Sequence, residues 1–297
     1  MDIYLKKFLD YLENTKKASD NTIESYKRDI LKYTEYINSI GVDELTSVSS
    51  TVVLNYLLDI QKKGKSAATA SRSLSSIRAF YKYLHQKGYI SENPTNDLHT
   101  FKTERKAPSS LNEYQIELLL STPDKRNIKG YRDKAMLEIM YATGMRASDL
   151  IKIKLSDVNL KIGYIMCTNG EKERIIPIYS YARDCLKEYI EKRTEIPNSN
   201  QSDILFLNRN GAPLTRQGLW KIIKTYQKKV GIPIDLTPHT LRHSFAIHLL
   251  ENGADLKSVQ ELMGHSDISS TQVYEEVVKN KLSEVYEKAH PRAKHHR

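Results

Sequence analysis

Cysteine is scarce in this sequence: 297 residues contain two, Cys167 and Cys185. No secretory leader is recognisable at the start, so the pair does not support a disulfide framework, and a reducing cytoplasmic compartment is expected. Long apolar runs are missing as well. The opening MDIYLKKFLDYL is charged every few residues, and no stretch approaches the ~20 apolar residues that a bilayer-spanning helix needs, so no membrane partner is expected. Acidic residues are in deficit, with 36 Asp and Glu against 46 Lys and Arg, a formal charge of +10. Such an excess favours a polyanion, because clustered Lys and Arg gain free energy by releasing phosphate counterions. What is present is an ordinary globular composition, 39% hydrophobic and 28% charged, in a chain long enough for two domains.

From Ile3 to Leu84 apolar residues recur at helical spacing in four segments, YLKKFLDYL, TIESYKRDILKYTEYI, SSTVVLNYLLDIQ and TASRSLSSIRAFYKYL. Their punctuation agrees: Ser19 to Asn21 before one helix and Gly41 after it, Ser49 and Ser50 before the next and Gly64 at its end. The stretch ENPTNDLHTFKTERKAPSSLNEYQ has two prolines, polar residues and basic charge but no apolar stripe, and reads as an extended linker. The boundary falls near Arg105, giving domains 1–105 and 106–297. Beyond it, SLNEYQIELLLS and YRDKAMLEIMYATG are helical, the second stopping at Gly144. The period then changes. GYIMCT and RIIPI read as strands around NGEKE, whose Asn-Gly pair signals a two-residue hairpin turn, and DILFLNRNGAPL reads as a further short hairpin. Helices return after Leu214. The expected fold is therefore mainly α: an N-terminal four-helix domain and a C-terminal, mostly helical domain with a small antiparallel sheet.

The fourth helix carries Thr69, Arg72, Ser73 and Ser76 along one side, opposite an apolar stripe of Leu74, Ile77, Tyr81 and Leu84. Small polar and cationic side chains of this kind suit a DNA backbone or groove; the alternative is a solvated face. Thr215, Arg216 and Gln217 open the helix of PLTRQGLWKIIKTY, where a helix N-terminus favours phosphate and Arg or Gln can read base edges; a simple cap by Thr215 is the alternative.

TPHTLRHSFAIHLL puts His239, Arg242 and His243 within five residues of a helical segment. A metal site at His239 and His243 lacks a third ligand, and Arg242 would repel a divalent cation, so no metal is expected. Upstream, Arg146 follows the glycine stop in YATGMRASDL. Downstream, LMGHSDISSTQVYEEV brings His265 and Tyr274. Two arginines, two histidines and a tyrosine form a set suited to phosphoryl transfer.

With these motifs in order, and with NTIESYKRDI near the start and HPRA at the end, the sequence resembles the tyrosine recombinases of the phage integrase family, and among them the Xer-like site-specific recombinases. The resemblance covers nearly the whole chain. It implies an N-terminal SAM-like DNA clamp, a C-terminal catalytic domain, and strand exchange through a 3′-phosphotyrosyl intermediate without cofactor, for chromosome-dimer resolution or mobile-element integration and excision. It implies Tyr274 as nucleophile, Arg146 and Arg242 as phosphate clamps, His239 in proton transfer, His265 as a hydrogen-bond donor to the phosphate, and Asp149 as an orienting acid. The implied partners are double-stranded DNA bearing a specific site and three further recombinase subunits, identical or paralogous.

One position departs from the pattern. Where relatives carry GKGxKxR this chain has TNGEKER, so the place of the general-acid lysine falls on Asn169, which has no proton to give. Lys172 is the expected substitute, since an Asn-Gly turn shifts strand residues toward the cleft. After Tyr274, Leu282, Val285, Tyr286 and Ala289 form a stripe that packs either on its own domain or on a neighbouring subunit. Two other readings stand beside the recombinase: a non-catalytic DNA-binding relative, which the altered hairpin would permit, and a monomeric topoisomerase, against which the N-terminal half argues.

Overall fold

A computed structural model describes residues 2–42, 44–98, 109–169 and 172–264. The chain divides into two compact units, residues 1–106 and 107–297.

The first unit contains four long helices among its described residues: α1 (Asp2–Asn14), α2 (Asp20–Ser39), α3 (Ser50–Lys62) and α4 (Ala67–Gln86). Ser19 and Ser66 cap α2 and α4, each accepting a hydrogen bond from the backbone N–H three residues on, which satisfies a donor the helix cannot. Gly41 and Gly64 follow α2 and α3 with φ of +75° and +79°. The helices meet through their apolar stripes, with Phe8, Ile30, Tyr33, Leu57, Leu74, Ile77 and Tyr81 buried. Tyr33 and Tyr81 share a hydrogen bond of 3.0 Å in this core, and burial pushes both phenols above the usual tyrosine range. The start of the expected linker is ordered against the unit: Asn93 Oδ1 accepts from the Thr95 amide and hydroxyl, and Arg78 donates to the Leu98 carbonyl. Local side-chain hydrogen bonds thus extend a segment that pattern alone reads as free.

In the second unit α5 (Glu113–Ser121) starts on a reciprocal capping box between Asn112 and Gln115. Helix α6 (Ile128–Thr143) is buried on almost every side, and α8 (Ser180–Lys192) and α10 (Pro238–Glu251) pack against it. A four-residue turn of helix, α7 (Ala147–Leu150), leads into a three-stranded antiparallel sheet of β1 (Val158–Asn159), β2 (Tyr164–Asn169) and β3 (Lys172–Pro177), in that order. Burying Ile165, Cys167 and Ile176 on one face fixes the register, pairing Cys167 with Arg174 and Asn169 with Lys172. Asn169 thus ends β2 and Lys172 opens β3. The expected hairpin near Asn208 contains a single antiparallel bridge, Leu207 to Pro213, because Asn208 folds its own side chain onto the Asn210 amide. Helices α9 (Arg216–Val230) and α11 (Leu256–Met263) complete the unit's described helices. No helix among the described residues is long and apolar enough to cross a membrane.

Candidate active site

The site is built on glycines at two helix ends. Gly144 terminates α6 in the left-handed region, φ +56°, and a Cβ there would lie 2.2 Å from the Phe245 ring, so glycine alone fits both the backbone and the packing. The reversal brings Arg146 out of the helix in extended conformation. Its Nη2 donates to the Gly264 carbonyl at 3.1 Å, while its Nη1 is buried without a hydrogen-bond partner. Arg242 reaches the same place from α10. It is 6% exposed, and donates from Nη1 to the Gly144 carbonyl at 2.5 Å and from Nη2 to the Met263 carbonyl at 2.7 Å. The two arginines, 96 residues apart in sequence, are thus tied to the ends of α6 and α11.

A third arginine, not anticipated among the site residues, joins them. Arg174 on β3 donates from Nη2 to Asp149 Oδ2 at 3.3 Å, and its Nε and Nη1 are buried without partners. It lies against Gly264, the φ +63° cap of α11, so closely that a Cβ on that glycine would stand 1.7 Å from Nη1. Asp149, expected to orient the site, holds Arg174 and also accepts from the Ser148 hydroxyl at 3.2 Å. Burial raises the neighbouring Cys167 thiol above its usual range, with Arg174 pulling in the opposite direction. Its signal in sequence was the arginine closing TNGEKER at a core-facing strand position, opposite a buried cysteine.

Three buried guanidinium N–H positions without acceptors are costly, since an unmade hydrogen bond on a buried charged donor loses solvation with nothing in return. Tetrahedral oxyanions supply what is missing, two or more strong acceptors carrying negative charge that match the planar arginine fork.

His239 is the second residue of α10, exposed, one turn before Arg242; Thr237 and Thr240 cap the helix reciprocally and Pro238 occupies its first turn. His243 is 8% exposed. The two histidines of HTLRH therefore stand in different environments, one open and one internal, with Arg242 between them engaged by backbone carbonyls. Lys172 opens β3 opposite Asn169. His265 and Tyr274 lie outside the described residues.

The positions expected to touch DNA divide. Arg72 is half exposed and paired with buried Asp29 at 2.8 Å, and Thr69 shares a hydrogen bond of 2.9 Å with Ser66. Both line an open groove of about 370 Å³ with Lys32, Lys63 and Lys65. Ser76 is a correction. It is 5% exposed and donates to Asp29 Oδ2 at 2.9 Å, so its hydroxyl is committed to the packing of α4 on α2; Ser73, 3% exposed, is internal too. Thr215, Arg216 and Gln217 are exposed, and the Thr215 hydroxyl accepts from the Gly218 amide at 3.0 Å, the capping alternative.

Comparison with known proteins gives the family and the fold. Residues 109–281 match the phage integrase family and residues 5–88 its N-terminal SAM-like domain. The tyrosine recombinase XerD of Staphylococcus aureus is 42% identical over 295 residues, 99% of this chain and 100% of that one. The structure of XerH site-specific recombinase bound to palindromic difH substrate superposes with a TM-score of 0.76 at 25% identity, covering 95% of this chain and 83% of that one. An integrase of the Tn1549 transposon, at 21% identity and a TM-score of 0.77 over 95% and 99% of the two chains, shares the fold. The chain belongs to the phage integrase family of tyrosine recombinases.

Proposed function

We propose that the protein is a site-specific DNA recombinase that cuts and rejoins double-stranded DNA through a 3′-phosphotyrosyl intermediate. The observation that carries this reading is the buried Nη1 of Arg146, a cationic donor with no acceptor, beside an Arg242 already fixed by two carbonyls. Tyr274 Oη attacks the scissile phosphorus, its proton passes to His239, and the bond to the 5′ oxygen breaks as Lys172 supplies a proton to that oxygen. Arg146 and Arg242 neutralise the non-bridging oxygens as charge builds on them, and His265 donates to one of them. The phosphodiester energy is kept in the phosphotyrosine, so attack by the 5′ hydroxyl of another strand reverses the step and joins new ends without ATP or metal. Lys172 carries a titratable proton that Asn169 lacks, which supports it as the donor.

Arg72, Thr69, Arg216 and Gln217 face the duplex, and the subunits act as a tetramer, identical or paired with a paralogue, linked by the stripe from Leu282 to Ala289. The task is chromosome-dimer resolution or mobile-element integration and excision. The test is covalent capture on nicked duplex DNA: the native protein yields an adduct that survives denaturant, Tyr274→Phe binds the DNA but yields none, and an adduct in that variant refutes the assignment. For the acid, Lys172→Ala should be slow on ordinary DNA and recover on a 5′-bridging phosphorothiolate, whose leaving thiolate needs no proton; a variant as fast as the parent on ordinary DNA removes Lys172 from the role.

A further inference from the structure

We infer that Arg174 is a third phosphate-binding arginine of the site, contacting the reacting phosphate through the two nitrogens that its pairing with Asp149 leaves unused. The inference rests on the recombinase reading above. Arg174 has a signature like that of Arg146: one nitrogen fixed by the protein, at Asp149 Oδ2 for Arg174 and at the Gly264 carbonyl for Arg146, and others buried without an acceptor, Nε and Nη1 in Arg174 and Nη1 in Arg146. Both arginines meet at Gly264, one on its carbonyl and the other within contact of its Cα. An anion bound beside that glycine therefore satisfies both at once and offsets the repulsion between the two cations.

A purely structural arginine in the same unit has a different form. Arg193 directs Nε, Nη1 and Nη2 onto the carbonyls of Leu205, Ser199, Ser202 and Ile204. Asp149 and Gly264 supply the positioning for Arg174. The carboxylate holds one end of the guanidinium, and the missing side chain at position 264 leaves the space that the other end occupies. Arginine is specifically required, because a lysine ammonium cannot hold Asp149 and present further directed donors in one plane.

The test uses the full-length protein and a nicked suicide duplex carrying the site recovered by covalent capture, in two forms: an ordinary phosphodiester, and each methylphosphonate diastereomer at the scissile position, which lacks one charged oxygen. Arg174→Ala and Arg174→Lys are expected to form the covalent adduct about 10²-fold more slowly on the phosphodiester, the loss typical of removing one transition-state donor. On one methylphosphonate diastereomer the deficit should shrink to within a few-fold of the native protein, because the oxygen that Arg174 serves is gone. Gel-shift binding and thermal melting confirm that the variants fold, and Arg174→Lys covers the case where alanine does not. An equal deficit on all substrates assigns Arg174 to holding Asp149 and Gly264 only, and no deficit on the phosphodiester removes it from the site; either result overturns the inference while leaving the recombinase intact. A native protein that forms no adduct overturns the recombinase reading, and the role of Arg174 with it.

Discussion

Arg193 and Arg146 belong to one compact unit, yet they treat their charge in opposite ways. Arg193 is 6% exposed and caps four backbone carbonyls between Ser199 and Leu205, stitching an irregular loop to the end of α8. Arg132 behaves similarly, donating to Asp133 and to the Leu207 carbonyl, while Tyr226 donates to the other oxygen of Asp133. Lys134 beside them is shared between Glu138 and the Leu120 carbonyl. These cations have their acceptors within the fold and contribute to its stability. Arg146 and Arg174 keep donors in reserve. A buried cation with its hydrogen bonds complete marks architecture, and one with them incomplete marks a place where a ligand finishes the structure.

That contrast can be broken by substitution. The largest effect on stability is expected for Arg193→Met, which takes a charged donor from four carbonyls at once, two of which, Leu205 and Ser199, keep a second donor, and should lower the unfolding free energy on the order of 3–5 kcal/mol in a urea titration. A loss under 1 kcal/mol would show that water replaces the guanidinium and that the division between the two kinds of arginine is not energetic. Gly144→Ala comes next. It combines a left-handed φ with a Cβ 2.2 Å from Phe245, for a cost of about 2–4 kcal/mol, and it shifts the carbonyl that holds Arg242, so adduct formation should slow together with melting. Arg146→Gln should have the smallest effect on stability, within about 1 kcal/mol, because the native state already tolerates its unmade hydrogen bond.

The glycine stop and the arginine after it were legible in sequence, since a helix-periodic segment ending at Gly144 fixes where Arg146 leaves the helix. So were the helical placement of His239 and Arg242 and the two strands around position 170. What sequence could not supply were partners distant along the chain. Ser76 reads as part of a polar stripe on α4 until Asp29 from α2 takes its hydroxyl and that of no phosphate. Arg174 reads as an ordinary strand residue until Asp149, 25 residues earlier on α7, pairs with it. Asn169 reads as a turn residue until strand pairing takes it into β2 opposite Lys172, in a register that buries Ile165, Cys167 and Ile176 on one face. The charged residues inside α6 carried no pattern at all, because, beyond the pairs they form with one another, their partners lie at Leu120 on α5, Tyr179 before α8, Tyr226 on α9 and the Leu207 carbonyl.

The most direct measurement is the single-turnover rate of covalent adduct formation by Arg146→Gln on a nicked duplex, beside its urea unfolding curve. A guanidinium reserved for phosphate gives a rate at least about 10²-fold below the native protein with an unfolding curve nearly superimposable on it. A variant that forms the adduct at the native rate, or one that is slow only because it is as unstable as Arg193→Met, contradicts the assignment of Arg146 to the reacting phosphate.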